Sequence, residues 1–252
     1  MRRAAYYALH YGAEYLAWSV RSVQEAVDEI HVMYAPQPSF GFGRRPGNPC
    51  PDTEERLEAE ARRFLSVPLV WHRGEWPHEG AHRDAGVDAC RAAGADSVLV
   101  VDADEVWDPA TAAAALRAIE ARTERQSRVR FVHFWRSFGW MCSDDAMPIR
   151  LILPERPEGE WYLDRQEHPV FHFGYAQSAT TIRYKESCHG HRAEWNPLWF
   201  KHMFLPWKPG AGDVHPTSRG GYWNPRPTDP AILEAMRPLL HDHPYWGAEI
   251  IP

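Results

Sequence analysis

Three carboxylates occupy four positions in Asp102-Ala103-Asp104-Glu105, directly after the apolar run Ser97–Val101 (SVLVV). Like charges this close are costly unless a cation lies between them. Oxygen-only ligands suit Mg2+ or Mn2+, and Mg2+ is usually shared with substrate phosphates. If the strand continued, alternation would turn Asp102 and Asp104 to one side. The plainer alternative is a solvated acidic turn, with Asp108 capping the helix that follows. No Gly-x-Gly-x-x-Gly follows the first apolar run, and no Gly-x-x-x-x-Gly-Lys-Ser/Thr occurs anywhere. Dinucleotide-fingerprint and P-loop readings therefore lose their main support.

Such a cluster needs strands to aim it. Ala4–Leu9, Glu29–Tyr34, Val67–His72 and Ser97–Val101 read as strands. Helical spacing runs over Ala13–Val23, from an Asp52/Glu55 capping box to Leu65, over Gly80–Ala93 ahead of Gly94, and from Asp108-Pro109 to Arg122. This alternation predicts an α/β fold with an open, mostly parallel sheet, whose ligands bind beyond the carboxyl ends of the strands. After residue 125 the character changes. Val129–Phe138 and Pro148–Leu153 read as strands, followed by short aromatic and His-rich runs. Ten of the 22 prolines lie from Pro197 onward. The expectation is an α/β half, 1–125, and a second half, 126–252, forming an irregular lobe of the same globular unit.

The chain has 252 residues with 28 basic and 34 acidic side chains, a net charge of −6. A uniformly basic nucleic-acid coat is excluded, but a local patch is not. Residues 165–226 carry eight basic and four acidic residues, six His and four Trp. Such a stretch can hold phosphates or stack an extruded base. Cys50, Cys90, Cys142 and Cys188 show neither a zinc spacing nor a disulfide framework. No signal peptide and no membrane span is evident, so a cytoplasmic protein is expected.

Three segments in order resemble the GT-A glycosyltransferases, in particular the family 2-like group. They are Ala81-His82-Arg83-Asp84-Ala85-Gly86, then Gly94-Ala95-Asp96-Ser97-Val98, then Asp102-Ala103-Asp104. Tyr11-Gly12-Ala13-Glu14 stands where that family has its first-strand turn. The resemblance covers residues 4 to 125 or so, and implies that 1–125 is the donor-binding half and 126–252 the acceptor-side half. It implies a Rossmann-like GT-A fold and transfer of a sugar from a nucleotide-sugar donor to an acceptor hydroxyl. It also implies a divalent ion (Mn2+ or Mg2+) held by Asp102 and Asp104 against the donor diphosphate. Two departures stand out: Tyr34–Ser39 lacks the acidic residue of many relatives, and Asp84 replaces Asn.

The resemblance further implies Tyr11, Glu14, Arg83, Asp102 and Lys185 as donor-binding residues. Arg83 has an alternative as a helix-surface residue paired with Glu79. His172 is the preferred third metal ligand, ahead of His168; His189/His191, His215 and His241/His243 are further candidates. An inverting reaction needs a base, and Asp144, Asp145 and Asp164 are the carboxylates available in mid-chain. The acceptor divides into a saccharide or glycan, which is favoured, and a hydroxymethylated DNA base. A His/Asp metallohydrolase is a second alternative. Any single Trp reads as core unless several share one rim.

Overall fold

The computed structural model describes residues 1–39, 48–142, 147–163, 170–188, 194–217 and 223–252. The first half alternates as β1 (Arg3–Leu9), α1 (Ala13–Val23), β2 (Glu29–Tyr34), α2 (Glu54–Arg62), β3 (Leu69–Arg73), α3 (Glu79–Ala92), β4 (Ser97–Val101), β5 (Glu105–Trp107) and α4 (Pro109–Glu120). The second half supplies β6 (Gln126–Val129), β7 (Phe131–Trp135), β8 (Ser137–Cys142), β9 (Ile149–Ile152), β10 (Glu160–Leu163), β11 (Val170–Tyr175), α5 (Ala179–Cys188), β12 (Arg226–Pro227) and α6 (Pro230–Leu240).

Seven strands form one sheet in the order β10-β6-β9-β4-β1-β2-β3. β4, β1, β2 and β3 run parallel, and β9 inserts antiparallel between β4 and β6. This is the open, mostly parallel α/β sheet that the alternation implies. α1, α2 and α4 bury Leu16, Val20, Leu57, Leu116 and Ile119 against Tyr7, Leu99 and Val101 on one face. α3 covers the other face. A Cβ on Gly86 would come within 2.3 Å of the Tyr6 ring, so only glycine lets α3 lie this close to β1.

The second half is less irregular than expected. Five strands form a second sheet, β12-β8-β7-β11-β5. Its faces carry Phe134, Phe138, Phe171 and Phe173 on one core and Trp135, Trp199, Trp207 and Trp223 on another. The two halves also interleave. β6, β9 and β10 extend the first sheet, while β5 from the first half edges the second. The segment read as one strand over Val129–Phe138 is three pieces, because the chain leaves the first sheet at Arg130 and turns sharply at Arg136 (φ 59°).

The expected cap of α2 also shifts. Thr53, not Asp52, caps it, its side chain accepting from Arg56 N. Asp52 instead accepts from Gly12 N (2.8 Å) and Ala13 N (3.1 Å). It thus supplies, from a distant loop, the capping oxygen that Gly12 at the N-terminus of α1 cannot provide. Among the described residues, no helix is long and apolar enough to cross a membrane.

Candidate functional site

β4 ends at Val101 and the acidic residues form a turn, Glu105 N donating to Asp102 O (3.1 Å), before the chain enters β5. The continued strand that alternation would need is therefore absent. The turn is the crossing between the two sheets, and each carboxylate meets partners from a different one.

β9 pairs with β4 so that Leu151 stands opposite Leu99, which brings Arg150 beside the turn. Arg150 Nη2 donates to Asp102 Oδ2 and Glu105 Oε1, both at 2.5 Å, and its Nε reaches both Glu105 oxygens at 2.9 and 3.0 Å. Arg83 on α3 gives Nη2 to Asp102 (3.2 Å) and Nε to Glu79 (3.0 Å). Arg83 therefore makes the Glu79 pair of its helix-surface alternative and reaches Asp102 as well. Burial opposes ionisation of Asp102, but Arg150 and Arg83 outweigh it and hold this carboxyl well below the usual range. Glu105 is fully buried and less well compensated; burial pushes its carboxyl up to about 8 against the pull of Arg150.

β11 pairs antiparallel with β5, placing His172 opposite Glu105, and Phe173 N bonds Asp104 O (2.8 Å). Asp104 Oδ1 lies 3.7 Å from His172 Nε2. Its Oδ2 accepts from Gln177 Nε2 (2.8 Å) and lies 3.6 Å from Lys185 Nζ, which donates to Gly174 O (3.0 Å). Burial, and then Lys185, pulls His172 down to about 3, so its ring is neutral at pH 7. Its Nδ1 shares a 2.7 Å hydrogen bond with His133 Nδ1, the kind of outer contact that fixes a ligating imidazole. A Cβ on Gly174 would meet the His172 ring at 2.5 Å, so glycine there makes room for the imidazole.

One cavity of about 740 Å3 collects these groups beyond the ends of β1 and β4. Tyr11, Arg83, Asp102, Asp104, His172 and Lys185 all line it, as do Arg150 and Gln177. One wall is neutral and polar. His10 Nδ1 donates to Ala35 O and His82 Nε2 to Met33 O, which leaves the other ring nitrogens to accept from the Tyr184 and Ser39 hydroxyls. Tyr175, Trp195, Trp223 and His215 give the lining an aromatic part. Trp195 and Trp223 are both almost wholly buried in the aromatic core behind it. At the floor, a Cβ on Gly12 (φ 126°) would lie 2.6 Å from Ala103 Cβ, so the turn after β1 rests on the acidic turn.

Glu14 is a correction. Its carboxylate turns away from the cavity, accepts from Ser178 N (2.8 Å), Thr181 and Tyr245, and so caps α5. His243, one of the further His candidates, bonds Glu14 O (2.9 Å) in the core. Asp144, Asp145, Asp164, His168, His189 and His191 lie outside the described residues. Arg150 and Gln177 were not singled out in the sequence, since one polar residue in a short strand or turn carries no spacing signal. Among the described residues, no three His, Cys, Asp or Glu side chains gather as a metal cage.

No family model and no curated protein matches the chain. Solved structures do. One is glucosyl-3-phosphoglycerate synthase from Mycobacterium tuberculosis in complex with Mg2+ and uridine-diphosphate (13% identity, TM-score 0.36, 52% of this chain and 43% of that one). Another is S. aureus TarS 1-349 in complex with UDP (15%, 0.35, 53% and 36%). A third is HddC from Yersinia pseudotuberculosis (8%, 0.41, 75% and 98%). The chain spans less than half the length of the first two.

Proposed function

We propose that the chain is a GT-A-type glycosyltransferase that moves a sugar from a nucleotide-sugar to an acceptor hydroxyl, with a saccharide or glycan as acceptor. The observation that carries this reading is the convergence at one turn. Asp104 and a neutral His172 lie side by side, and Arg83, Arg150 and Lys185 surround the two aspartates.

The donor set decides how a divalent ion fits. Two ligand atoms in adjacent positions around such an ion lie roughly 3–4 Å apart, and Asp104 Oδ1 and His172 Nε2 meet that at 3.7 Å. Mg2+ commonly takes one or two protein groups and completes its coordination with waters and substrate phosphates. Asp102 fits less well, because Arg83 and Arg150 hold its oxygens. Asp104 and His172 would hold such an ion, whose chemistry would be positive charge offered to the departing diphosphate.

The chain's own residues do the rest. Lys185, Arg83 and Arg150 place fixed positive charge where the leaving group gains its negative charge. Asp102 and Glu105 hold the Arg150 guanidinium in one orientation. Gln177 fixes the Asp104 carboxylate. The neutral wall at His10, Tyr11 and Ser39 accommodates the uncharged nucleoside, and the aromatic part of the lining faces the sugar and acceptor. Asp144, Asp145 and Asp164 remain the proposed sources of a general base.

Thermal shift with Mn2+ or Mg2+ and a panel of nucleoside diphosphates tests the reading. One nucleotide should stabilise the protein in metal and lose most of that effect in chelator. Asp104→Asn and His172→Ala should abolish the metal-dependent part. Equal shifts with and without chelator would remove the ion from the proposal.

A further inference from the structure

Residues 196–214 leave the cavity rim and return to it. Trp195 lines the cavity at one end, and His215, Pro216 and Thr217 line it at the other. Asn196 N donates to Pro216 O (2.9 Å), closing the excursion at its base. Inside it, a helical segment with a π-helical turn at Phe200–Phe204 anchors Trp199, Phe204 and Trp207 in the aromatic core. Trp199 Nε1 also donates to Val214 O (2.8 Å).

The outward side is unusual. Leu198 is 57% exposed and Leu205 45% exposed; among the described residues they are the two exposed leucines. Both point away from the core that Trp199, Phe204 and Trp207 enter. Lys201 and His202 lie exposed between them and Lys208 just beyond. The chain has only three lysines, and two are here. No Asp or Glu occurs between Trp195 and Gly212, in a chain whose net charge is −6. Singly scattered surface leucines need no explanation. Two leucines alternating with the chain's two exposed lysines, beside the mouth of a cavity, form the pattern of a helix that lies in a membrane interface. There, apolar side chains enter the headgroup boundary and cations meet anionic lipid.

We propose that the outer face of residues 198–208 docks reversibly on an anionic lipid surface and so presents the cavity mouth to it. Docking needs no catalysis, so its test is separate from the glycosyltransferase reading.

Co-sedimentation of the full chain is measured with vesicles of phosphatidylglycerol and phosphatidylcholine, with phosphatidylcholine alone, and with duplex DNA as competitor. The chain should pellet with the anionic vesicles, weakly with the neutral ones, and less as salt rises. Lys201→Glu/Lys208→Glu should lower binding by more than about tenfold, from about fivefold per lysine neutralised. Leu198→Ser/Leu205→Ser should lower it by about tenfold. All four side chains are exposed, so both double variants should keep the wild-type melting temperature and any nucleotide-dependent shift. Equal binding to anionic and neutral vesicles would overturn the proposal, as would a leucine double variant that binds like wild type. DNA that displaces the vesicles and still binds the leucine double variant would assign the lysines to nucleic acid and overturn it too.

Discussion

Asp102 and Asp104 are two residues apart, yet they belong to different environments. Asp102 faces the first sheet and α3, where two guanidiniums hold its oxygens. Asp104 faces the second sheet and α5, where it meets a neutral imidazole, an amide and one ammonium. The contrast separates two tasks within one short motif. On the Asp102 side, charge is compensated inside the protein and serves to orient Arg150 and Arg83. On the Asp104 side, one carboxylate oxygen and one ring nitrogen stay adjacent without a strong bond between them, which suits an incoming ligand.

The sharpest break of this contrast compares removal of charge on each side. Asp104→Asn should cut transfer by at least about 10^3-fold while the melting temperature stays near wild type, since Gln177 and Lys185 are its main partners. Steady-state kinetics beside calorimetry reads both; a large loss of stability would show that Asp104 is structural. Arg150→Met should lower transfer and stability together. It leaves fully buried Glu105 without its guanidinium and Asp102 with Arg83 alone, and should cost about 3–5 kcal/mol in urea unfolding. Adding Glu105→Gln should recover part of that loss. A single variant as stable as wild type would contradict the account of Arg150.

Acid sharpens the comparison on the second-sheet side. Burial pulls His243 down to about 4, against 6.5 unfolded. The unfolded chain takes up the proton first, so stability falls as pH drops through 6.5 toward 4, by about 3 kcal/mol from this group. His243→Gln should flatten that part of the profile. Gly174→Ala should cost about 1–3 kcal/mol by pressing on His172, and should weaken the metal-dependent shift more than the nucleotide-independent melting temperature. The smallest effect belongs to the far edge of the first sheet. The Arg128–Glu160 pair is about one-third exposed, and replacing either partner should leave the urea-unfolding midpoint close to wild type.

The sequence made the first sheet legible where burial is continuous. Ser97–Val101, Glu29–Tyr34 and Ala13–Val23 have the bounds their apolar spacing implies. The second sheet was hidden because its strands do not alternate. Phe131–Trp135 is buried at every position, and the strands are only two to six residues long. Aromatic and Pro-rich runs of this kind read as irregular until pairing is known. In the site, Asp102 and Asp104 were visible through local spacing, and Arg83 through the resemblance. His172 was visible only through the resemblance, because its approach to Asp104 depends on the antiparallel pairing of β5 with β11. Glu14 misled for the opposite reason: its place in sequence suited a donor contact, but α1 turns it toward α5. Arg150 acts through a strand register that no local pattern encodes.

The contact between Gly12 and Ala103 has a mechanical consequence. The loop after β1 is fastened at its back by Asp52, through Gly12 N and Ala13 N, and meets the acidic turn at its front across a gap too small for one methyl group. A force on either loop therefore reaches the other directly, with no flexible side chain between them to absorb it. A ligand that draws on residues 10–12 would push the same turn that carries Asp102 and Asp104, so filling that end of the cavity and setting its charged end would be one movement.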